Sequence, residues 1–335
     1  MRAVFYEKMR KDVEDALRSA DRPCEVVLTT VMKQNDVELT GVTVRVEGVS
    51  VSPTLYLNGY YEMFRDGSTY TDILEEVTDL FENAKPPQLK EEDIVQFDRI
   101  KDRVFIRLAD PEQNQEWLKG KVYHVEKGWA HVYGIRVDYP GSDASIMIQA
   151  EHLNGWRVSA DEVRVAAEEN LYRENVWLKP MNDVLRSYLV GDDEDEPLPL
   201  EIEEFLDSSS PELYVLKTDR PCFGSNILLR NDVMRQVGMM FGGDYYILPS
   251  SQHEIIVLSV KGAPSFEALQ SMVREINETE VDPGDRLSDD LFYYDWERGR
   301  VMKAKEYYAE KLGMPIEEPD NELPEKKKYR DEPER

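Results

Sequence analysis

The sequence predicts an α+β fold, with helices packed on antiparallel meander sheets, in two subdomains joined by an acidic linker. Three observations carry that prediction. Phe5, Met9, Val13 and Leu17 recur every four residues among charges, the stripe of a one-sided helix over residues 3–19. Apolar and β-branched residues then alternate in closely spaced runs joined by short turns, which is the pattern of a meander. The same succession of helices and short meanders returns after an acidic, proline-interrupted stretch near residue 200.

The helix over 3–19 needs a sheet to cover, and residues 25–32, 38–46 and 54–57 supply one, with Gln34-Asn35-Asp36 as its first turn. Tyr70, Ile73, Leu74, Val77, Leu80 and Phe81 mark a second helix. Lys85-Pro86-Pro87 ends it, because proline has no amide with which to continue the ladder. From Lys90 a short helix leads into a strand at 103–108, a segment at 114–119 and a hairpin pattern over 130–148 about Tyr139-Pro140-Gly141. Ser159-Ala-Asp-Glu162 has the spacing of a capping box: the serine oxygen accepts the third helical amide and the glutamate returns to the cap amide, so a helix starts there and runs through Ala167. Residues 1–190 thus form an N-terminal α+β region, divisible into 1–88 and 89–190.

Asp192, Asp193, Glu194, Asp195 and Glu196, followed by Glu201, Glu203 and Glu204 and broken by Pro197 and Pro199, repel one another and favour an extended chain. Residues 191–210 therefore read as the linker. A C-terminal α+β domain follows over 211–313. It has strands at 213–217 and 226–229, a helix over 231–241 closed by Gly242-Gly243, two strands flanking a polar turn at 249–254, a helix over 265–278 and an edge strand at 291–296. Residues 314–335 carry Pro315, Pro319, Pro324 and Pro333 among charges and are predicted to form a disordered tail.

The 335 residues carry 68 Asp and Glu against 41 Lys and Arg, a formal charge of -27, which repels phosphate and anionic membrane surfaces. Direct nucleic-acid binding and membrane association are therefore not expected, and any macromolecular partner is expected to be a basic protein. The opening Met1-Arg-Ala-Val-Phe-Tyr-Glu-Lys8 enters helical pattern without the apolar stretch of a secretory signal, and the two cysteines, Cys24 and Cys222, lie far apart. A cytoplasmic location is expected.

Ser52-Pro-Thr-Leu-Tyr-Leu57, His152-Leu-Asn-Gly-Trp156, Tyr246-Ile-Leu-Pro-Ser-Ser251 with His253-Glu254, and Met272-Val-Arg-Glu-Ile-Asn277 occur in that order. In this the chain resembles an uncharacterised bacterial domain-of-unknown-function family over about residues 1 to 297. The resemblance implies a cytoplasmic bacterial protein and carries no activity, cofactor or ligand.

Ser250, Ser251, His253 and Glu254 form the one local Ser/His/Glu grouping, and a hydrolase would use a serine as nucleophile, His253 as base and the carboxylate as orienting group. In an extended strand, residues two apart sit roughly 7 Å apart at Cα, too far for a hydroxyl-imidazole bond unless the turn folds them together. A turn after Pro249, with the hydroxyls satisfying backbone amides, accounts for the same residues without chemistry. His152, Asn154 and Trp156 offer a ligand shelf, against which stand a turn at Asn-Gly and a tryptophan filling a core.

His124, His131, His152 and His253 include no helical i, i+4 pair, and no CxxC completes a tetrahedral set, so neither a metal nor another cofactor is expected. A folded grouping of His124 and His152 with acidic residues is the arrangement the sequence leaves open. Asp192 to Glu196 either form a solvated linker or steer a basic partner, and a fixed acidic surface would also mimic phosphate in the groove of a nucleic-acid-binding protein. The reading that results is a non-catalytic cytoplasmic binding or interaction protein. The alternatives are a hydrolase built on Ser250 to Glu254 and an acidic inhibitor of a nucleic-acid-binding protein.

Overall fold

A computed structural model describes residues 1–20, 24–46, 54–83, 91–139, 142–190, 212–220, 223–249 and 251–313. The fold is α+β, with three antiparallel sheets and helices on their faces. No described helix is long and apolar enough to cross a membrane.

The first unit follows the predicted pattern. Helix α1 (Arg2–Ser19) buries Phe5, Tyr6, Met9, Val13 and Leu17. The stripe lies on a sheet ordered β1 (Glu25–Lys33), β2 (Val37–Arg45), β3 (Thr54–Tyr56), and helices α2 (Asn58–Arg65) and α3 (Tyr70–Asn83) complete the layer. Val26, Val42, Leu57, Tyr61, Ile73 and Val77 close a core of its own. Gly41 lets β3 approach β2, since a Cβ there would stand 2.4 Å from the Leu55 carbonyl oxygen.

After the short helices α4 (Glu91–Ile94) and α5 (Phe97–Ile100), a second sheet is built around the long strand β6 (Trp129–Tyr139). Strand β4 (Val104–Ala109) pairs one edge of β6, while β5 (Tyr123–Glu126) and β7 (Ser142–Met147) pair successive stretches of it. Helix α6 (Ala150–Trp156) follows, then α7 (Ala160–Arg173), whose start is the predicted capping box: Glu162 N–H donates to Ser159 Oγ at 3.2 Å and Ser159 N–H to Glu162 Oε2 at 2.8 Å.

The third sheet begins with β8 (Val176–Pro180), followed by α8 (Met181–Val190), β9 (Tyr214–Thr218), α9 (Asn231–Phe241), β10 (Tyr245–Leu248), β11 (Ile255–Ser259), α10 (Phe266–Thr279), β12 (Phe292–Asp295), β13 (Arg300–Lys303) and α11 (Ala304–Leu312). Its strand order is β13-β12-β10-β11-β9-β8. Two elements differ from expectation. Residues 226–229 belong to a 3-10 turn over Gly224–Leu229, because four apolar residues fit a buried turn as well as a strand. The strand near 291–296 lies inside the sheet, between β10 and β13, and not at its edge.

Residues 191–210 and 314–335, read as linker and tail, lie outside the described residues. The sheet nevertheless joins the chain on both sides of that linker, since β8 pairs β9 from Val176–Thr218 to Pro180–Tyr214. One hydrophobic core likewise takes Ile106, Tyr133 and Leu171 from before it and Leu216, Val257 and Tyr294 from after it. A division at 191–210 therefore does not separate two cores.

The first unit docks through the tip of its hairpin. Gln34 is fully buried: its Oε1 accepts from Arg107 Nε at 2.6 Å and its Nε2 donates to the Leu108 carbonyl at 3.1 Å. Asn35, in the left-handed region at φ 62°, donates from Nδ2 to the carbonyls of Pro283 and Arg286, both at 2.8 Å, and its amide reaches Asn114 Oδ1 at 2.6 Å. Asp36 accepts the amides of Trp117 and Glu116. Three consecutive polar residues thus hold all three sheets' units together. Asn35→Ala removes two side-chain donors and the residue type that tolerates positive φ, so unfolding free energy is expected to fall by about 2–4 kcal/mol in chemical denaturation, and by about 1 kcal/mol less in Asn35→Gly.

Candidate functional site

The polar turn at 250–254 is committed to this junction. Ser251 Oγ accepts the His253 backbone amide at 3.0 Å, and Ser251 bridges Arg286 in a short antiparallel contact. His253 Nε2 lies 3.4 Å from Asp285 Oδ2, its ring stacks on Phe223, and its buried Nδ1 has no partner among the described residues. Glu254 faces Lys217 at 3.8 Å instead of His253. Gln252, between them, is buried with its side-chain amide on Gly284 O and Asp285 Oδ1. Ser250 lies outside the described residues. Ser251 and the His253 imidazole are thus joined to different partners, the hydroxyl to a backbone amide and the ring to the Asp285 carboxylate.

The His152, Asn154 and Trp156 group forms helix α6, where a turn or core plug was the alternative to a shelf. His152 Nδ1 accepts the Gln149 amide at 3.0 Å, caps the helix start and stacks on Trp156. Trp156 donates from Nε1 to the Ile94 carbonyl at 2.6 Å and borders a groove with Phe97 and Val158, whereas Asn154 is exposed. Asp192, Asp193, Glu194, Asp195 and Glu196 lie outside the described residues.

A cavity of about 670 Å³ opens between the β5–β6 hairpin, α7, the Gly224–Leu229 turn and the β13–α11 edge. Trp129 and Phe292, stacked at 5.3 Å, form part of its apolar wall with Leu171 and Leu228. Asp110, Glu126, Glu168, Glu306 and Glu310 line it against Lys127, Arg300 and Lys303. All three of those cations are already paired: Arg300 with Glu310 at 3.3 Å, Lys303 with Asp290 at 2.6 Å and Lys127 with Glu126 at 3.9 Å. Asp290 is held below the usual carboxylate range, since Lys303 and Lys305 outweigh the opposing effect of burial.

Three ligating side chains meet at the hairpin end of this cavity, where none was expected. His124 and His131 are directly opposed across β5 and β6, and the nearest ligand atoms of His124, Glu126 and His131 all lie within 4.8 Å of one another. Burial, with the His124 ring beside it, pushes the His131 imidazole down to about 4, so it is neutral at physiological pH. A search for helical i, i+4 spacing misses this pair, because it is strand register that brings them together. His152, the other histidine weighed with His124, is not in the group.

The family model of DUF5688, a family of unknown function, matches residues 2–296. The chain belongs to this family. The match spans all three sheets up to β12, so the junction and most of the cavity wall are features of the region the family model covers. No curated protein and no solved structure matches the chain.

Two outcomes follow from the 250–254 turn. A fluorophosphonate probe is expected to leave the purified chain unlabelled; labelling of Ser251 that His253→Ala abolishes would restore the hydrolytic pair. Burial alone would raise the Asp285 carboxyl, but His253, Arg107 and Gln252 outweigh it and hold it below the usual range. A folded-state value below the unfolded one near 3.9 gives stabilisation that is complete above roughly pH 5 and disappears as pH falls through the folded value. Thermal unfolding of Asp285→Asn is therefore expected below that of the native chain at neutral pH, with the two converging in strong acid.

Proposed function

We propose that this chain is a non-catalytic binding protein whose ligand enters the cavity beside the β5–β6 hairpin. The observation that carries the reading is the lining: five carboxylates against three cations, all three of them already paired, around a wall of Trp129 and Phe292. Its volume is in the range of small-molecule sites, and an aromatic wall with a carboxylate excess suits an organic cation with a flat apolar body. The commitment of Ser251, His253 and Glu254 to other partners favours binding over hydrolysis.

The formal charge of -27 favours a basic protein as any macromolecular partner, docked by Asp192 to Glu196, and no direct contact with nucleic acid; the cytoplasmic bacterial setting rests on the family resemblance. Phosphate mimicry would need carboxylates fixed at backbone-like intervals, and residues 192–196 lie outside the described residues.

Benzamidine serves as the probe. Calorimetric titration is expected to show saturable binding that weakens about tenfold in Glu168→Gln, the loss of one charge-assisted contact, and is abolished in Leu229→Trp, which fills the cavity. The absence of saturable binding, or binding unchanged in both variants, would overturn the cavity reading.

A further inference from the structure

We infer that His124, Glu126 and His131 form a binding site for a divalent transition-metal ion of the zinc class. The site goes beyond the organic ligand of the cavity and stands on the geometry of the hairpin itself. Lys127 and Gly128, at φ 52° and 83°, are the two turn residues between Glu126 and Trp129, with the positive φ of a type I′ hairpin loop. That turn fixes the register, placing His124 opposite His131 and Glu126 opposite Trp129. Side chains alternate across a strand, so His124 and Glu126 share a face with His131 and Tyr133.

His124 Nε2 stands 3.6 Å from Glu126 Oε2, and the two imidazoles lie 4.5 Å apart at 67°. Donors around a tetrahedral zinc, each about 2.0–2.1 Å from it, are about 3.3 Å apart, so modest rotation brings these atoms to bonding distance. Two imidazoles and one carboxylate are a borderline-soft set that suits zinc or a neighbouring first-row ion and leaves a fourth position open.

Two further observations point the nitrogens at a ligand. His131 is only 5% exposed, and its Nε2 has no hydrogen-bond partner among the described residues, although an unsatisfied buried polar atom is costly. His124 Nδ1 lies 2.8 Å from the Tyr133 hydroxyl. In the tautomer whose Nδ1–H donates to that oxygen, Nε2 carries the free lone pair, and the ring is held as second partners hold metal-bound histidines. Binding then forms Nε2–metal bonds from both histidines and an oxygen–metal bond from Glu126, with no change of oxidation state.

The test uses the full chain stripped by chelator and titrated with cobalt(II) chloride, followed by visible absorption and then by displacement with zinc chloride. Expected are one equivalent of cobalt with the d–d bands of a tetrahedral or five-coordinate ion, displaced by zinc. Affinity is expected to fall at least about tenfold in His124→Ala and in Glu126→Gln, and about tenfold or more in Tyr133→Phe, whose hydroxyl only orients the ring. Glu126 is an exposed hairpin residue, so its variant keeps the fold even if a histidine variant does not. No saturable cobalt binding, or binding that His124→Ala and Glu126→Gln leave unchanged, overturns the inference. Glu126 and His131 line the cavity and His124 does not, so benzamidine titrated on the metal-free native chain and on metal-free His124→Ala separates the two readings: cobalt failing alone removes the metal site, and benzamidine failing alone removes the organic ligand.

Discussion

A single buried guanidinium sets the terms on which the three units meet. Arg107 is 7% exposed, and a charge taken out of water costs several kcal/mol unless its donors are met. Here Nε reaches Gln34, one terminal nitrogen faces the Gly284 carbonyl at 3.5 Å, and the rings of Trp117 and Phe223 lie at 5.0 and 4.9 Å. Each partner belongs to a different part of the chain: the first hairpin, the 283–286 loop, the segment after β4 and the turn after β9. Undocking any one of them exposes a polar set that the others have shaped. The 283–286 loop meets the same demand from the other side, since its carbonyls take Asn35 and Gln252 as well as Arg107.

This explains how far the fold was legible in the sequence. The stripe of Phe5, Met9, Val13 and Leu17, the capping box at Ser159 and the glycine stop at Gly242 are local signals, and each names its element because the physics is complete within a few residues. Gln34-Asn35-Asp36 was equally plain as a turn, yet nothing local distinguishes a solvated turn from one whose amides and carboxamides are consumed by residues some 70 to 250 positions away. The linker at 191–210 was likewise drawn from local charge, while the pairing of β8 with β9 across it depends on a core assembled from both sides.

The candidate sites divide on the same principle. Ser251, His253 and Glu254 are neighbours in sequence, and that proximity made them look like a site. In an extended turn it sends their side chains to different partners: Ser251 to a backbone amide, His253 to the Asp285 carboxylate and Glu254 to Lys217. His124 and His131 are seven positions apart, a spacing that on a helix shares a face but stands two turns, about 10.5 Å, apart, too far to hold one ion. The signal that was available is the Lys127-Gly128 turn between short alternating runs, which defines a hairpin and therefore its opposite pairs. A histidine search made against cross-strand register as well as helical spacing would have found them.

The residues of the pairing themselves bring the fold little. His131 sits on the core side of β6, between Trp129 and Tyr133, where an apolar residue would satisfy packing without leaving a nitrogen that has no partner among the described residues. Its neighbour across the strands is a second imidazole, which adds repulsion should either ring protonate. Glu126 at the tip is exposed, so it need not be there to relieve buried charge. Each choice alone is mildly unfavourable or neutral to the fold. Together they place two imidazoles and a carboxylate at the end of an acid-lined cavity, an arrangement whose cost a cation bound between them would offset.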